Sequence, residues 1–239
     1  MITTANLPRI RLFLDGAELD QMKRAYVEPH IAGFTTNPTL MRKAGITDYA
    51  GFARAAIEAM PDKPISFEVF SDSLEEMERE ARVIHSWGGN TYIKIPVSNT
   101  AGVSTAPLVH KLSSEGIALN VTAIMTLRQV AEVAEALDGG TRSIVSVFAG
   151  RIADTGVDPE PLMKNAAEIL APKPAAELLW ASPRELLNLF HAARTGCSII
   201  TATGDVLAKL GLIGKDLEAY SLDTVKMFYN DATTAGFRI

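Results

Sequence analysis

The chain has 239 residues, 47% of them hydrophobic and 21% charged, with a net charge of −5. That length allows a sizeable core, as two small domains or as one α/β barrel, which takes roughly 250 residues. The acidic balance lacks the broad basic footprint of a nucleic-acid-binding protein, and no apolar run approaches the ~18 residues of a membrane span.

Met1 to Arg11 has neither the charged n-region nor the apolar h-region of a signal peptide, so a cytoplasmic protein is expected. Short apolar segments then recur: Ile10–Leu14, Ile31–Thr35, Ile65–Val69, Tyr92–Ile95, Ala118–Val121, Ile144–Phe148, Leu178–Ala181 and Ser198–Thr201. Each reads as a buried strand. Amphipathic stretches lie between them. Leu74, Met77, Ala81 and Ile84 recur at helical spacing, as do Val130, Val133, Ala134 and Leu137. Ser73 with Glu76, Thr126 with Gln129 and Ser182 with Glu185 have capping-box form, which predicts three helix starts. Cys197, the single cysteine, cannot form an internal disulfide and reads as a small core residue. His30, His85, His110 and His191 have no metal-like spacing, so no metal is expected.

Strands alternating with helices imply a parallel sheet with right-handed crossovers. Eight such units favour a single (β/α)8 barrel (TIM barrel) over residues 1–239. An open doubly wound sheet is the alternative, but its G-x-G-x-x-G fingerprint and the Walker phosphate loop are both absent. Beyond the eighth unit, residues 217–235 carry Leu222, Val225, Tyr229 and Ala232 on one face. This predicts an extra C-terminal helix, packed over its own barrel or onto a neighbouring subunit.

Barrel enzymes place reactive groups at the C-terminal ends of strands and in the loops that follow. Lys94 stands in Thr91–Pro96, an apolar run with no acid adjacent in sequence. Burial there disfavours the ammonium, and a neutral lysine amine adds to carbonyls to form Schiff bases. The plainer alternative is a lysine that snorkels to solvent or pairs with a distant carboxylate. Glu68, inside another apolar strand, needs a partner, a proton or a function. Asp15 ends the first strand, where capping a helix near Ala17 is the plain reading. Asn37 and Pro38 have the form of a cap followed by the first helical residue. Asn120 and Thr122 alternate with Val121, so both face the barrel interior. Ser146 and Arg151 follow from strand six. Ser182, read as a helix cap, and Arg184 in the first turn after it would offer N–H groups, a hydroxyl and a guanidinium to a phosphate.

Six pieces taken together resemble the transaldolase family, which is similar in turn to the fructose-6-phosphate aldolases. They are residues 12–15 (Leu-Phe-Leu-Asp), 33–39 (Gly-Phe-Thr-Thr-Asn-Pro-Thr), 92–97 (Tyr-Ile-Lys-Ile-Pro-Val), 119–123 (Leu-Asn-Val-Thr-Ala), 146–152 (Ser-Val-Phe-Ala-Gly-Arg-Ile) and 181–184 (Ala-Ser-Pro-Arg). The resemblance implies a class I aldolase-type barrel with a Schiff base on Lys94 and an acid/base at Asp15. It implies a Glu68–Thr122 pair holding a catalytic water. It assigns substrate contacts to Asn37, Asn120, Ser146, Phe148 and Arg151, and phosphate binding to Ser182 and Arg184.

Fructose-6-phosphate aldolases carry Gln where this chain has Glu68 and Tyr where it has Phe148, so both positions are of transaldolase type. Trp180 and Pro183 depart from the family's setting around strand seven. The implied activity is transfer of a three-carbon dihydroxyacetone unit between sugar phosphates, without a cofactor. A fructose-6-phosphate-aldolase-type lyase and a non-catalytic sugar-phosphate-binding barrel are the alternatives. The resemblance also implies a homo-oligomer, as a pentamer or decamer, while charge and hydropathy predict no nucleic-acid or membrane partner.

Overall fold

In the computed structural model, which describes residues 7–239, eight parallel strands close into a barrel in the order β1 to β8. Residues 1–6, where the n-region of a leader would fall, lie outside the described residues. The strands are β1 (Arg11–Asp15), β2 (Ile31–Thr35), β3 (Ile65–Glu68), β4 (Thr91–Pro96), β5 (Leu119–Ile124), β6 (Ser143–Val147), β7 (Ala176–Trp180) and β8 (Ile199–Thr203). Every predicted segment forms its strand, with ends displaced by at most three residues. The helices α1 (Leu19–Tyr26), α2 (Pro38–Lys43), α3 (Tyr49–Ala59), α4 (Leu74–Ser86), α5 (Ala106–Ser114) and α6 (Leu127–Ala136) cover the first half. Then come α7 (Ala149–Asp154), α8 (Glu160–Leu170), α9 (Asn188–Arg194), α10 (Gly204–Leu207) and α11 (Leu217–Thr234).

Alternation along the strands sorts the core into two shells. Phe13, Tyr92, Ala118, Ile144, Leu179, Ala181 and Ile199 fill the barrel. Their sequence neighbours, such as Leu12, Ile93, Val145 and Ile200, point outward against helix residues such as Met22, Met77, Val130 and Leu189. Each fully buried aliphatic or aromatic side chain contributes about 1.5–3 kcal/mol of transfer free energy, so the outer shell supplies most of the cohesion. Gly33 makes the inner shell possible. A Cβ there would stand 2.6 Å from the Phe13 ring, so any other residue would push that ring out of the barrel. At the N-terminal end Arg11 pairs with Glu177, and Arg142 lies 5.4 Å from the Tyr92 ring centroid. This end is plugged, which leaves the C-terminal mouth for chemistry.

Two of the three predicted helix starts form. The Ser73 side chain accepts from Glu76 N–H, and Thr126 and Gln129 make a reciprocal capping box. The third does not. Ser182 is left-handed (φ +58°), whereas an N-cap is usually extended, and α9 begins only at Asn188. The chain is diverted by a crossing: the Ser182 carbonyl lies 1.5 Å from where a Cβ on Gly150 would stand. The glycine thus admits the loop against α7, and Asn188 Oδ1 accepts from Arg184 N–H and Glu185 N–H instead.

Helix α11 buries no residue. Val225 is 60% exposed, Phe228 63% and Tyr229 70%, so of the two sequence expectations, packing over its own barrel is not seen. Cys197 is buried just ahead of β8, and burial pushes its thiol up to about 11. No helix among the described residues is long and apolar enough to cross a membrane.

Candidate active site

A cavity of about 660 Å³ opens at the C-terminal mouth of the barrel. Lys94, Asp15, Glu68, Thr122, Asn37, Asn120, Ser146, Phe148, Arg151, Ser182 and Arg184 all line it. They come from different strands and the loops after them, and closure of the barrel brings them together.

Lys94 is 6% exposed. Register pairs it with Glu68 across β3 and β4 and with Asn120 across β4 and β5. Its Nζ donates to the Thr36 carbonyl at 2.8 Å and lies 3.3 Å from Glu68 Oε2. Of the readings the sequence left open for Lys94, pairing with a distant carboxylate is the one seen. That carboxylate comes from the neighbouring strand, β3.

Asp15 does not cap α1, whose N-cap is Glu18. Its Oδ1 accepts from Thr35 Oγ1 at 2.8 Å and its Oδ2 from Asn37 Nδ2 at 3.2 Å. Burial raises the pKa of its carboxyl above the usual value, and Lys94, Thr35 and Asn37 pull the other way without cancelling the rise. Asn37 serves two purposes. Its Oδ1 caps α2 by accepting from Leu40 N–H at 3.0 Å, which turns Nδ2 toward Asp15. The capping reading of Asn37 holds, and the same residue lines the cavity.

The opposite wall is a hydroxyl–amide chain. Ser146 Oγ donates to Asn120 Oδ1 at 2.6 Å, and Asn120 Nδ2 donates to Ser66 Oγ at 3.0 Å. Thr122 Oγ1 is buried without a hydrogen-bond partner among the described residues. A buried hydroxyl usually has one, and Thr122 lines the cavity. The next residue, Ala123, is left-handed (φ +63°) where β5 slips register against β6. Strained backbone of this kind is concentrated at functional sites.

The cationic rim is less uniform. Arg151 lies 5.5 Å from the Phe148 ring centroid. Arg184 forks onto Asp154, with Nε donating to Oδ1 at 2.9 Å, so an incoming anion competes with that carboxylate. Of the two departures around strand seven, Pro183 lines the cavity, while Trp180 faces the outer shell, 6.3 Å from the His191 ring.

Strand eight contributes residues that sequence reading missed. Thr201 and Thr203 line the cavity, and Thr201 Oγ1 is 2.5 Å from Thr35 Oγ1, behind Asp15. Their alternation at the end of β8 was a usable signal. Lys43 and Asp205, also in the lining, carried none.

Comparison with known proteins agrees with the family resemblance and with the barrel fold. The sequence model of the Transaldolase/Fructose-6-phosphate aldolase family matches residues 12–239. A "Probable transaldolase" of Dehalococcoides mccartyi is 32% identical over 202 residues, covering 84% of this chain and 90% of that protein. "Probable transaldolase 2" of Listeria monocytogenes is 35% identical over 225 residues, covering 89% and 98%. A solved candidate phosphonomutase of Burkholderia cenocepacia superimposes with a TM-score of 0.57 at 11% identity, covering 99% of this chain and 97% of that one. That likeness is one of fold alone. A family match over nearly the whole chain, with relatives above 30% identity along most of their length, makes this protein a member of the transaldolase/fructose-6-phosphate aldolase family.

Proposed function

We propose that the protein transfers a three-carbon dihydroxyacetone unit from a ketose phosphate to an aldose phosphate through an imine on Lys94. The observation that carries this reading is the buried Lys94 amine, 3.3 Å from Glu68 Oε2, in one cavity with Asp15 and Thr122.

Lys94 gives up a proton toward Glu68 and adds to the C2 carbonyl. Glu68 and Thr122 hold a water that protonates the carbinolamine hydroxyl, which leaves as water. The iminium then draws the C3–C4 electron pair as Asp15 takes the C4 hydroxyl proton. An aldose phosphate departs and an enamine stays on Lys94. Its C3 attacks the carbonyl of a second aldose phosphate, Asp15 returns the proton to the new alkoxide, and hydrolysis frees the ketose. Asn37, Asn120 and Ser146 hold the hydroxyls of the three-carbon unit. Ser182, Arg151 and Arg184 hold the phosphate, which displaces Asp154 from Arg184.

Turnover of fructose 6-phosphate with and without erythrose 4-phosphate tests this. Sedoheptulose 7-phosphate formed only with acceptor present supports transfer. Free dihydroxyacetone without acceptor points to a lyase, and no turnover to a binding protein.

Phe148 favours transfer. It offers no hydroxyl from which the bound enamine can be protonated before an acceptor arrives. Phe148→Tyr is expected to raise the ratio of released dihydroxyacetone to transfer about 10-fold or more, within the ordinary range of general acid catalysis. Product analysis on fructose 6-phosphate with erythrose 4-phosphate present checks it, and an unchanged ratio counts against the role.

The same reading makes the protein a homo-oligomer built through α11. Leu222, Val225, Phe228 and Tyr229 lie exposed along it, and exposed apolar patches mark interaction surfaces. Light scattering is expected to give a multiple of the 25.7 kDa chain, a pentamer or decamer, and truncation before residue 217 to lower it. A cytoplasmic location accords with this reading.

A further inference from the structure

Two backbone groups of Glu68 decide how its carboxylate meets Lys94. In a parallel ladder the rungs are evenly spaced along both strands. Between β2 and β3, Phe34 N–H donates to the Pro64 carbonyl at 2.8 Å and Thr36 N–H to the Ser66 carbonyl at 3.2 Å. Continuing that pattern, Glu68 N–H would donate to the Thr36 carbonyl, and residue 38 would donate to the Glu68 carbonyl. Neither rung forms. The Thr36 carbonyl accepts from Lys94 Nζ at 2.8 Å instead, and residue 38 is Pro38, which has no N–H.

Both stranded groups turn to one side chain. The hydroxyl of Tyr49, the first residue of α3, accepts from Glu68 N–H at 2.8 Å and donates to the Glu68 carbonyl at 2.9 Å. Its ring packs edge-on to Phe70 at 4.4 Å and beside Trp87 at 5.9 Å. Burial holds the phenol's pKa above its usual value, so the hydroxyl keeps the proton it donates.

We propose that Tyr49 is a positioning residue for imine formation: its hydroxyl replaces the two missing rungs, fixes Glu68 beside Lys94, and leaves the Thr36 carbonyl to the amine. The inference rests on Lys94 being the amine that condenses with substrate. Without the hydroxyl, Glu68 N–H loses its partner, and the acceptor the ladder offers is the Thr36 carbonyl. Taking it displaces Lys94 Nζ from the position in which Glu68 can serve it.

Tyr49→Phe removes one oxygen and keeps the ring. The readout is the rate at which borohydride captures an adduct of fructose 6-phosphate on Lys94 of the full chain, read by mass spectrometry. Wild type, Tyr49→Phe, Trp87→Phe and Lys94→Met are compared. Tyr49→Phe is expected to slow capture and kcat together by about 10- to 100-fold, the cost of a misplaced reacting group, with the acceptor KM unchanged. Trp87→Phe loosens the same aromatic cluster without touching the hydroxyl and is expected to capture at the wild-type rate.

Capture by Tyr49→Phe at the wild-type rate overturns the proposal. So does a slowing that merely tracks lost thermal stability in both aromatic variants. Absence of any adduct on wild type removes the imine reading and this inference with it, whereas a wild-type adduct with an unaltered Tyr49→Phe rate removes the tyrosine role alone. Should Tyr49→Phe not fold, 3-fluorotyrosine at position 49 weakens the hydroxyl as an acceptor within a near-native shape. Slower capture then supports the role, and an unchanged rate overturns it.

Discussion

Lys94→Met is expected to lower turnover by at least about 10⁴-fold, the scale seen when a covalent nucleophile is removed and only binding remains. Methionine fills nearly the same volume in the apolar layer, so the barrel can close around it. What disappears is the amine that forms the bond to C2. A second lysine makes the test sharp. Lys43 also lines the cavity, but it is exposed at the end of α2, whereas Lys94 is buried within hydrogen-bonding reach of the Thr36 carbonyl. Borohydride with a ketose phosphate is expected to label Lys94 in wild type and nothing in Lys94→Met. Lys43→Met is expected to keep the label. An adduct that survives in Lys94→Met, or turnover within about 100-fold of wild type, would sink the imine mechanism. Circular dichroism and thermal melting of the variant separate lost chemistry from lost fold.

Asp15→Asn is expected to cost about 10²–10⁴-fold in kcat, the usual share of a positioned acid/base, while making the protein more stable at neutral pH. The sign follows from the raised carboxyl. A carboxyl whose pKa is higher folded than unfolded binds its proton more tightly in the native state. Its favourable contribution is complete below the unfolded value of 3.8 and is lost as pH rises through the folded value. At pH 7 the buried carboxylate therefore weighs against folding, and a neutral amide removes that cost. Asn Oδ1 still accepts from Thr35 Oγ1. The melting temperature of Asp15→Asn is expected to exceed that of wild type at pH 7, and the difference to vanish below about pH 4, where both side chains are neutral. The same shift sets the acid limb of wild-type kcat/KM above the range of an exposed aspartate, because the base must be ionised to work. A variant less stable than wild type at pH 7 would contradict the cost assigned to this carboxylate.

The barrel was largely legible before any coordinates. Eight apolar segments separated by helical periods leave few other architectures, and burial of both faces makes each segment a near-continuous hydrophobic run. Lys94 and Glu68 stood out for the same reason: charges inside such runs break the pattern. The misreadings share a different cause. Ser182 and Glu185 have the spacing of a capping box, but the chain there must pass over Gly150, and a local motif carries no information about a distant crossing. Which carboxylate pairs with Lys94 was invisible for the same reason: Glu68 is 26 positions back in sequence and becomes adjacent only by strand register. The strand-eight threonines were visible by alternation, and were missed because neither is a charged intruder in an apolar run.

What the amino-acid order determined on its own is periodic and local: which stretches are strands and helices, that they alternate, and which strand ends carry polar groups. What only the tertiary structure decided is relational. Closure of the barrel puts residues from β1 through β8 around one cavity. Register sets Lys94 against Glu68, and the gap between β2 and β3 leaves one carbonyl for Lys94 and two backbone groups for Tyr49. The physical reason is that hydrophobic periodicity acts over a few residues, whereas hydrogen-bond partners across a closed sheet are chosen by geometry that exists only once all eight strands have met.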